Sequence, residues 1–177
     1  MNRGWVLSYS WYSLMVNNLN FLDIESPIGL IRVFEADGKI TALNIAVKKS
    51  TTKSTQNSKV LQEAKIQLDR YFQGKLTKFD LPVDLSQGTP FQKAVWQQIA
   101  KVGFGESVSY AEIAKAIKNP KASRAVGGAV GANPIPLIIG CHRVLGASGK
   151  ITGYSGGKGI PTKKWLLRHE NINASDV

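Results

Sequence analysis

Cysteine, histidine and acidic residues are all scarce in this chain. Its 177 residues include one cysteine, two histidines and 12 acidic residues against 23 basic ones. A single cysteine excludes an intramolecular disulfide and a multi-cysteine zinc site, and a reducing cytosol is the natural compartment for it. No run of 18 or more apolar residues occurs, so we expect a cytoplasmic protein without a membrane span.

The basic residues are distributed unevenly. Residues 1–88 hold 11 Lys and Arg against 8 Asp and Glu, whereas residues 89–177 hold 12 against 4. The second half therefore carries +8 of the formal charge of +11. Such asymmetry favours a polyanionic partner for the second half, most often nucleic acid, although a merely solvated basic surface would have the same composition.

Three sections follow one another along the chain. Residues 1–18 are an N-terminal extension of uncertain role, with too few positive charges for a signal peptide. In residues 19–87, two alternating apolar runs flank Asp37-Gly38, which predicts a β-hairpin, and 21–24 predict a third strand. A polar loop over 48–59 then precedes a helix that Gly74 closes. We predict a small sheet covered by one helix.

The third section, residues 88–177, has helical periodicity and no convincing alternating strand. Residues 82–90 are interpreted as a linker, and a helix follows that ends near Gly103. Ser109 and Glu112 have the spacing of a capping box for the next helix, which Asn119-Pro120 stops. A further helix is predicted from Lys121 or Ala122 to about 131. Two short helices joined by a tight turn predict a helix-turn-helix motif.

The second helix of this motif has an unusual exposed face. At 3.6 residues per turn, its apolar residues share one side; they are Ala122, Ala125, Val126, Ala129 and Val130. The other side carries Arg124, Gly127, Gly128 and Gly131. Interior glycines each cost roughly 1 kcal/mol relative to alanine, so a bare face indicates close approach to another surface. We interpret it as binding the DNA minor groove or backbone, with Arg124 inserted among the bases; tight helix packing within the protein is the alternative.

An apolar run with two prolines, residues 133–139, is predicted to be extended and to lead straight to the only cysteine, Cys141. A free thiol has a pKa of about 8.5, so a nucleophilic cysteine needs an activator, and His142 is adjacent. A lone cysteine can equally be a small buried apolar residue. A glycine-rich loop with Tyr154 and Ser155 follows, and a terminal helix over 163–169 ends at Glu170.

Several segments between residues 88 and 170 together resemble the O6-alkylguanine-DNA alkyltransferases. The segments are Gly88-Thr89-Pro90-Phe91-Gln92, Val95-Trp96, Ser109-Tyr110, Lys121-Ala122-Ser123-Arg124-Ala125-Val126-Gly127, Asn133-Pro134, Cys141-His142-Arg143-Val144, Gly153-Tyr154-Ser155-Gly156-Gly157 and Trp165-Leu166-Leu167-Arg168-His169-Glu170. The resemblance implies an α+β protein of two domains. The first is a small ribonuclease H-like α/β domain, and the second is a helical domain, similar to winged-helix and helix-turn-helix proteins, that binds DNA and holds the active site.

The activity implied by the resemblance is direct reversal of DNA damage. An alkyl group moves irreversibly from O6-alkylguanine, and also from O4-alkylthymine, to Cys141 after the damaged nucleotide is rotated out of the duplex. The resemblance implies one reaction per protein molecule and no cofactor or metal. Double-stranded DNA is the implied partner of a protein that we expect to be monomeric.

The resemblance also implies roles for individual residues. His142 and Glu170 form a relay, through a water, that removes the thiol proton from Cys141, and Tyr110 helps the departing base take a proton. The implied substrate-binding residues are Tyr110, Val144, Tyr154, Ser155 and Asn133, of which Asn133 ties the recognition helix to the active-site segment. The implied DNA-binding residues are Arg124, Ala122, Ser123, Gly127, Gly128 and Asn119.

Two features depart from the family pattern. Gly140 stands where proline usually precedes the cysteine, which leaves the backbone freer at that point. The segment over 158–162 is about two residues longer than is common, which affects where Glu170 lies. The alternative functions are a damage sensor that flips the base without transfer, which an acceptor cysteine disfavours, and a Cys/His hydrolase, for which no oxyanion hole is indicated.

Overall fold

The computed structural model describes residues 20–49, 55 and 57–175. The N-terminal extension, the end of the chain at 176–177, and half of the predicted polar loop, at 50–54 and 56, lie outside the described residues. Within the described ranges, no helix combines the length and apolar character needed to cross a membrane.

The N-terminal domain is a three-stranded antiparallel sheet with one helix packed on it. Its strands are β1 (Asn20–Ile24), β2 (Ile31–Ala36) and β3 (Lys39–Ile45), in the order β1-β2-β3. Asp37 and Gly38 join β2 to β3 with φ values of 50° and 71°, as a tight hairpin turn requires. The predicted hairpin and third strand are confirmed.

Helix α1 (Lys59–Phe72) covers this sheet. Ser58 caps its first turn by accepting from the Leu61 N–H, and Gly74 follows its end with φ 70°. Its buried face joins the strands in one core, with Leu61, Ala64, Leu68 and Tyr71 at 1% exposure or less. The predicted helix and its glycine stop are confirmed.

The predicted linker is partly wrong. The Ile40 N–H donates to the Pro82 carbonyl at 2.8 Å, and the Asp84 N–H donates to the Ile40 carbonyl at 2.8 Å. Residues 82–84 thus pair with β3 instead of crossing freely to the next domain. Leu81 and Val83 pack against the first core, and this apolar contact keeps the segment on the sheet.

The C-terminal domain begins with three helices, α2 (Pro90–Ile99), α3 (Tyr110–Ala116) and α4 (Ser123–Gly131). Helix α2 ends four residues before Gly103, because the Val102 N–H turns back to the Ile99 carbonyl. The predicted capping box at Ser109 and Glu112 is present at the start of α3. Helices α3 and α4 form the predicted helix-turn-helix, with Lys118 at φ 59° in the turn.

Two elements of this domain were not predicted. Strand β4 (Val108–Ser109) pairs in parallel with β5 (Val144–Leu145), so the domain is not wholly helical. Each strand has only two residues, too few for an alternating pattern.

The last helix, α5 (Ile160–His169), begins three residues earlier than predicted, with Pro161 in its first turn.

The burial predicted for α4 is partly wrong. Val126, Ala129 and Val130 are buried, whereas Ala125 is exposed and Ala122 is half-buried. Ala125 lies about 100° around the helix from Val126, beyond the strip that α2 and α3 cover. The face that this leaves open is therefore wider than predicted.

The run from Asn133 to Ile139 is not straight, contrary to the prediction. Leu137 has φ 72°, and the Ile139 N–H donates back to the Ile135 carbonyl at 3.0 Å. Ile135 and Leu137 are buried in the N-terminal core, whereas Ile139 is buried in the C-terminal core. The chain turns here because apolar side chains that are close in sequence pack into two different cores.

Candidate functional site

Cys141 begins a single 3-10 turn, Cys141–Arg143, directly after that bend. Its N–H donates to the Ile139 carbonyl at 2.7 Å, and the residue is 3% exposed. It lies on the wall of a cavity of about 760 Å³. The other residues lining this cavity are Tyr110, Lys121, Ser123, Arg124, Gly127, Val130, Gly131, Thr152, Gly153, Tyr154 and Ser155.

The Cys141 thiol is un-ionised in its resting state. Burial raises its pKa, and the Asn133 side chain, the Tyr154 hydroxyl and the Lys163 charge only partly oppose this. A nucleophilic thiolate therefore has to be generated by a base that takes the proton.

His142 is the base nearest in sequence, and it is completely buried. Its Nε2 lies 2.9 Å from Oε1 of Glu170. Burial lowers the pKa of His142, as do the charges of Arg143 and Lys163, although Glu170 opposes them. A neutral ring beside a carboxylate carries its hydrogen on Nε2, so Nδ1 has the free lone pair. Nδ1 is buried and has no hydrogen-bond partner among the described residues.

Glu170 is held by more than His142. Arg143 donates from Nε to Oε2 at 2.8 Å and from Nη2 to Oε1 at 3.0 Å, and Tyr71 donates to Oε1 at 2.7 Å. Burial alone would raise the pKa of Glu170, but the hydrogen bonds from His142 and Arg143 bring it down to about 2. Glu170 is therefore an anion at neutral pH, at the C-cap of α5.

Neither departure from the family pattern displaces these groups. Residues 158–162 include the first turn of α5, where Thr162 Oγ1 accepts from the Lys158 N–H, and Glu170 still meets His142. Gly140 has φ −67°, a value that proline also adopts. A Cβ on Gly140 would lie 2.9 Å from Cδ and Nε of Arg143, so the glycine leaves room for that side chain.

Asn133 ties the end of α4 to the cysteine segment. Its Nδ2 donates to the Ile139 carbonyl at 2.8 Å, and its Oδ1 accepts from the Ile135 N–H at 3.1 Å. Both bonds close the bend described above. Asn133 therefore fixes the position of the backbone that leads into Cys141. Its side chain does not line the cavity of about 760 Å³.

Four of the hydroxyl groups that line the cavity have different surroundings. Thr152 Oγ1 donates to the Tyr110 oxygen at 3.2 Å, which leaves the Tyr110 hydrogen free. Ser155 Oγ instead donates to the Gly131 carbonyl at 3.0 Å and ties its loop to the end of α4. The Tyr154 hydroxyl is buried; burial and the nearby Cys141 raise its pKa well above the ordinary value.

The open face of α4 borders this cavity. Arg124, Gly128 and Gly131 are exposed, and a Cβ on either of these glycines would meet nothing within 4 Å. On Gly127 it would lie 3.8 Å from the Tyr110 ring, an ordinary contact. Tight internal packing does not explain the bare face of α4.

Apart from His142, Glu170 and Asn133, four predicted site residues lie away from the cavity wall, and one of them is Ala122, half-buried at the N-cap of α4. Val144 is buried, and its carbonyl accepts from Nζ of Lys163 at 2.6 Å. Asn119 is exposed in the turn before α4, and Gly128 lies on the far part of the open face. The two exposed positions, Asn119 and Gly128, suit contacts with a long partner better than contacts with a small molecule in the cavity.

Lys163 was missed by the sequence reasoning. It is 1% exposed and donates to the Val144 and Gly153 carbonyls, joining β5 to the cavity loop. Burial lowers its pKa to about 8. Lys163 precedes the buried Leu166, Leu167 and Glu170 by three, four and seven residues, so helical spacing alone places it on the inward face.

Arg143 and Tyr71 were also missed as site residues. Arg143 stands inside the quoted Cys-His-Arg-Val segment, and Tyr71 stands on the apolar stripe of α1. For Tyr71, the available signal was a polar hydroxyl group on a helix face that is otherwise apolar. Among the described residues, no group of three His, Cys, Asp or Glu side chains is arranged to hold a metal ion.

The two halves of the chain and the buried cysteine together match one class of DNA-repair protein. Residues 12–85 match the family model of the ribonuclease-like domain of 6-O-methylguanine DNA methyltransferase, and residues 90–172 match its DNA-binding domain. The two-domain α+β fold is confirmed. The predicted boundary after residue 87 falls between these ranges and stays a prediction.

Individual relatives agree with the family models. The methylated-DNA--protein-cysteine methyltransferase of Mycolicibacterium paratuberculosis is 44% identical over 155 residues, 86% of this chain and 92% of the relative. The constitutive enzyme of Bacillus subtilis is 41% identical over 84% of this chain and 93% of its own. The chain therefore belongs to the 6-O-methylguanine DNA methyltransferase family, as the resemblance indicated.

A solved structure extends the comparison to the fold. Mycobacterium tuberculosis OGT in complex with DNA superposes with a TM-score of 0.76 and is 43% identical. The match covers 86% of this chain and 93% of that one. Both domains are therefore shared with a protein whose structure contains DNA.

Proposed function

We propose that this protein repairs DNA by transferring the alkyl group of O6-alkylguanine to Sγ of Cys141. The observation that carries the proposal is the placement of Cys141 on the wall of a cavity beside the open face of α4, with His142 and Glu170 buried next to it. The family membership supports the same reaction. All of the residues that the proposal uses belong to one chain, so a monomer suffices.

Thiol activation is assigned to His142. Its neutral ring keeps Nδ1 free because Glu170 holds the hydrogen on Nε2. A water between Nδ1 and Sγ carries the thiol proton to the ring, which avoids any direct bond between neighbouring residues. The resulting imidazolium is stabilised by the Glu170 anion.

Transfer is a direct displacement at the alkyl carbon. The thiolate forms a C–S bond, the bond from that carbon to the guanine O6 breaks, and its electron pair leaves with the base. Tyr110 supplies a proton to the departing base, since its hydroxyl hydrogen is not used by Thr152. The proton taken from Cys141 remains on His142 until solvent removes it, and solvent returns a proton to the Tyr110 phenolate. No cofactor takes part in this balance.

The nucleotide must leave the base stack before this step, because the duplex hides the reacting carbon from a buried thiol. In the proposal, the open face of α4 approaches the minor groove with Ala122, Ser123, Gly127 and Gly128, and Asn119 contacts the backbone. Arg124 fills the gap that the rotated nucleotide leaves. Tyr154 and Ser155 close the cavity around the base. Asn133 and Val144 act from behind the cavity wall, Asn133 through its bond to the Ile139 carbonyl and Val144 through the bond that its carbonyl accepts from Lys163.

The thioether on Cys141 is stable, so each molecule acts once. The test is to mix protein with a duplex containing O6-methylguanine and to measure the mass of the intact protein. One added methyl group on Cys141, absent from Cys141→Ser, is expected, with a final extent of one methyl per protein. A duplex with O4-methylthymine tests the second substrate.

Two other results would contradict the proposal. Tight binding to the damaged duplex with unchanged protein mass would leave a sensor of alkylation damage. Repeated conversion of substrate by one protein molecule, without a stable adduct, would indicate a hydrolase instead.

A further inference from the structure

Tyr71 brings the N-terminal domain into the buried cluster behind Cys141. It lies in α1, 99 residues before Glu170, and is 1% exposed. Its hydroxyl donates to Glu170 Oε1 at 2.7 Å, and the same oxygen receives the bond from His142 Nε2 at 2.9 Å. One carboxylate oxygen therefore joins the two domains to the proposed base.

An aromatic cluster between α1 and α5 holds Tyr71 in place. The Tyr71 ring lies 5.0 Å from that of His169 and 6.2 Å from that of Phe104, measured between ring centroids. His169 stacks on Trp165 at 5.0 Å, and its Nε2 lies 2.8 Å from the Tyr71 carbonyl oxygen. The position of the hydroxyl is therefore determined by packing around the ring as well as by its bond to Glu170.

The phenol of Tyr71 can act only as a neutral donor here. Burial raises its pKa, and the charge of Glu170 raises it further. A carboxylate accepts and does not donate, so the direction of this bond is certain. Tyr71 therefore donates to Oε1 as a neutral phenol while Glu170 is ionised.

We propose that Tyr71 is a positioning residue for alkyl transfer, through which the N-terminal domain fixes the oxygen of Glu170 that orients and tunes His142. The proposal rests on the proposed function for its kinetic consequences. It gives the N-terminal domain a part in the chemistry, apart from any contact with DNA.

The charged groups around His142 determine the direction of the effect. Glu170 faces it from the end of α5, Arg143 from its own turn and Lys163 from the start of α5; the Cys141 thiol precedes it. Without the Tyr71 hydroxyl, Glu170 has one donor fewer and stabilises the charged imidazolium more strongly. The pKa of His142 then rises, so a higher pH is needed to keep the ring neutral.

The first experiment measures single-turnover methyl transfer against pH for the wild type and Tyr71→Phe. The acidic limb of the pH–rate profile should move to higher pH by about half a unit in Tyr71→Phe. This is a fraction of the pKa shift that a hydrogen bond to a charged group can produce. The plateau rate should fall about 10-fold, part of the contribution that a well-placed general base makes. Unchanged rate and pH profile in a folded Tyr71→Phe protein would overturn the proposal.

Phe104→Leu is the matched control. Phe104 belongs to the same aromatic cluster but has no hydroxyl group, so its truncation should lower the melting temperature without moving the acidic limb. Equal movement of the limb in Phe104→Leu and Tyr71→Phe would make Tyr71 merely a structural residue, and would also overturn the proposal.

Nuclear magnetic resonance of ¹⁵N-histidine provides a readout that needs no substrate. The chain has two histidines, so His142→Gln assigns both sets of signals. The His142 titration should move upward in Tyr71→Phe, and unchanged His142 signals would refute the link. If that variant does not fold, 3-fluorotyrosine at position 71 keeps the ring and is a stronger donor; it should move the titration downward, and no movement would refute the link.

The kinetic and the magnetic resonance experiments together distinguish failure of the inference from failure of the proposed function. A wild-type protein that takes up no methyl group but whose His142 responds to Tyr71→Phe would disprove alkyl transfer and keep the hydrogen-bond link. A wild-type protein that takes up methyl, with rates and His142 signals insensitive to Tyr71→Phe, would do the reverse.

Discussion

The two sides of Cys141 are built in different ways. On the cavity side, α4 presents Arg124 and two glycines to open space. On the rear side, Glu170 accepts bonds from Tyr71, His142 and Arg143 within a fully buried cluster. The cavity side is defined by space and positive charge, and the rear side by saturated hydrogen bonding.

This difference separates recognition from chemistry. A bare helix face can approach a large partner closely, but it contributes little to folding. A buried carboxylate with three donors is fixed in position, and removing any partner leaves a charge or a polar group unsatisfied. Changes on the rear side should therefore lower stability and slow transfer together, whereas changes on the cavity side should weaken DNA-dependent repair without lowering stability.

The largest expected effect is that of Glu170→Gln on the rear side. The variant leaves the Arg143 cation buried without its anion, which should cost about 3–5 kcal/mol of the free energy of unfolding. Methyl transfer should slow by about 100-fold or more, because the general base loses its orienting anion. Urea unfolding and single-turnover rates check the two values, and wild-type kinetics would remove Glu170 from the relay.

Acid should act through the same carboxylate. The folded pKa of Glu170 is about 2, below its ordinary value of 4.5, so its stabilising contribution is complete above pH 4.5 and is lost as the pH falls toward 2. Between these values, stability should fall with decreasing pH more steeply in the wild type than in Glu170→Gln, by up to about 1.4 kcal/mol per pH unit. Parallel curves in denaturant titrations would contradict this.

Gly140→Ala should disturb the rear side through Arg143. The added Cβ would lie 2.9 Å from a side chain whose guanidinium is held by Glu170 and the Val102 carbonyl. We expect a loss of about 1–3 kcal/mol in the free energy of unfolding, as for overpacked interiors. Gly153→Ala is the control, because its Cβ would meet nothing within 4 Å. Equal stability of the two variants would show that Arg143 adjusts freely.

Arg124→Ala should affect the cavity side only. Repair of an O6-methylguanine duplex should fall about 10-fold, equivalent to about 1.4 kcal/mol of the cost of extruding the base. Reaction with free O6-benzylguanine base should fall much less, and the free energy of unfolding should not change. An equal loss on both substrates would contradict the role of Arg124 in base extrusion.

Gly128→Ala should give the smallest effect, and one of opposite sign for stability. The Cβ would enter open space within α4, so the free energy of unfolding should rise by about 0.5–1 kcal/mol. Affinity for duplex DNA, measured at fixed salt, should fall by a few-fold because the backbone is held farther away. Higher stability with unchanged DNA affinity would show that DNA does not approach this face.

Local pattern was sufficient for most of the elements. The Asp37-Gly38 turn, the Ser109-Glu112 cap and the glycine stop of α1 each depend on residues within one or two turns of each other. The errors in the predicted helices are also local. Helix α2 ends early because the Val102 N–H turns back to the Ile99 carbonyl, and Ala125 lies beside the buried strip of α4 instead of in it. Two-residue strands such as β4 have no period to detect.

Local sequence pattern predicted only part of the chemistry of the site. The adjacent Cys141 and His142 were visible in the sequence, and the resemblance named Glu170 as their partner. Tyr71 and Lys163 were not found: helical spacing places each on a buried face, but it does not reveal which distant carboxylate or carbonyl the side chain meets there. The bend at Leu137 was missed because the run does not reveal which core each apolar residue enters.

The sequence by itself determined the hairpin, the helices, the glycine face of α4 and the presence of one thiol beside one histidine, since these follow from residue type and short spacing. Only the tertiary structure decided that Glu170, 28 residues from His142 and 99 from Tyr71, accepts bonds from both through one oxygen. Such contacts depend on how the two cores pack against each other, and no local propensity specifies the distance between groups on separate domains.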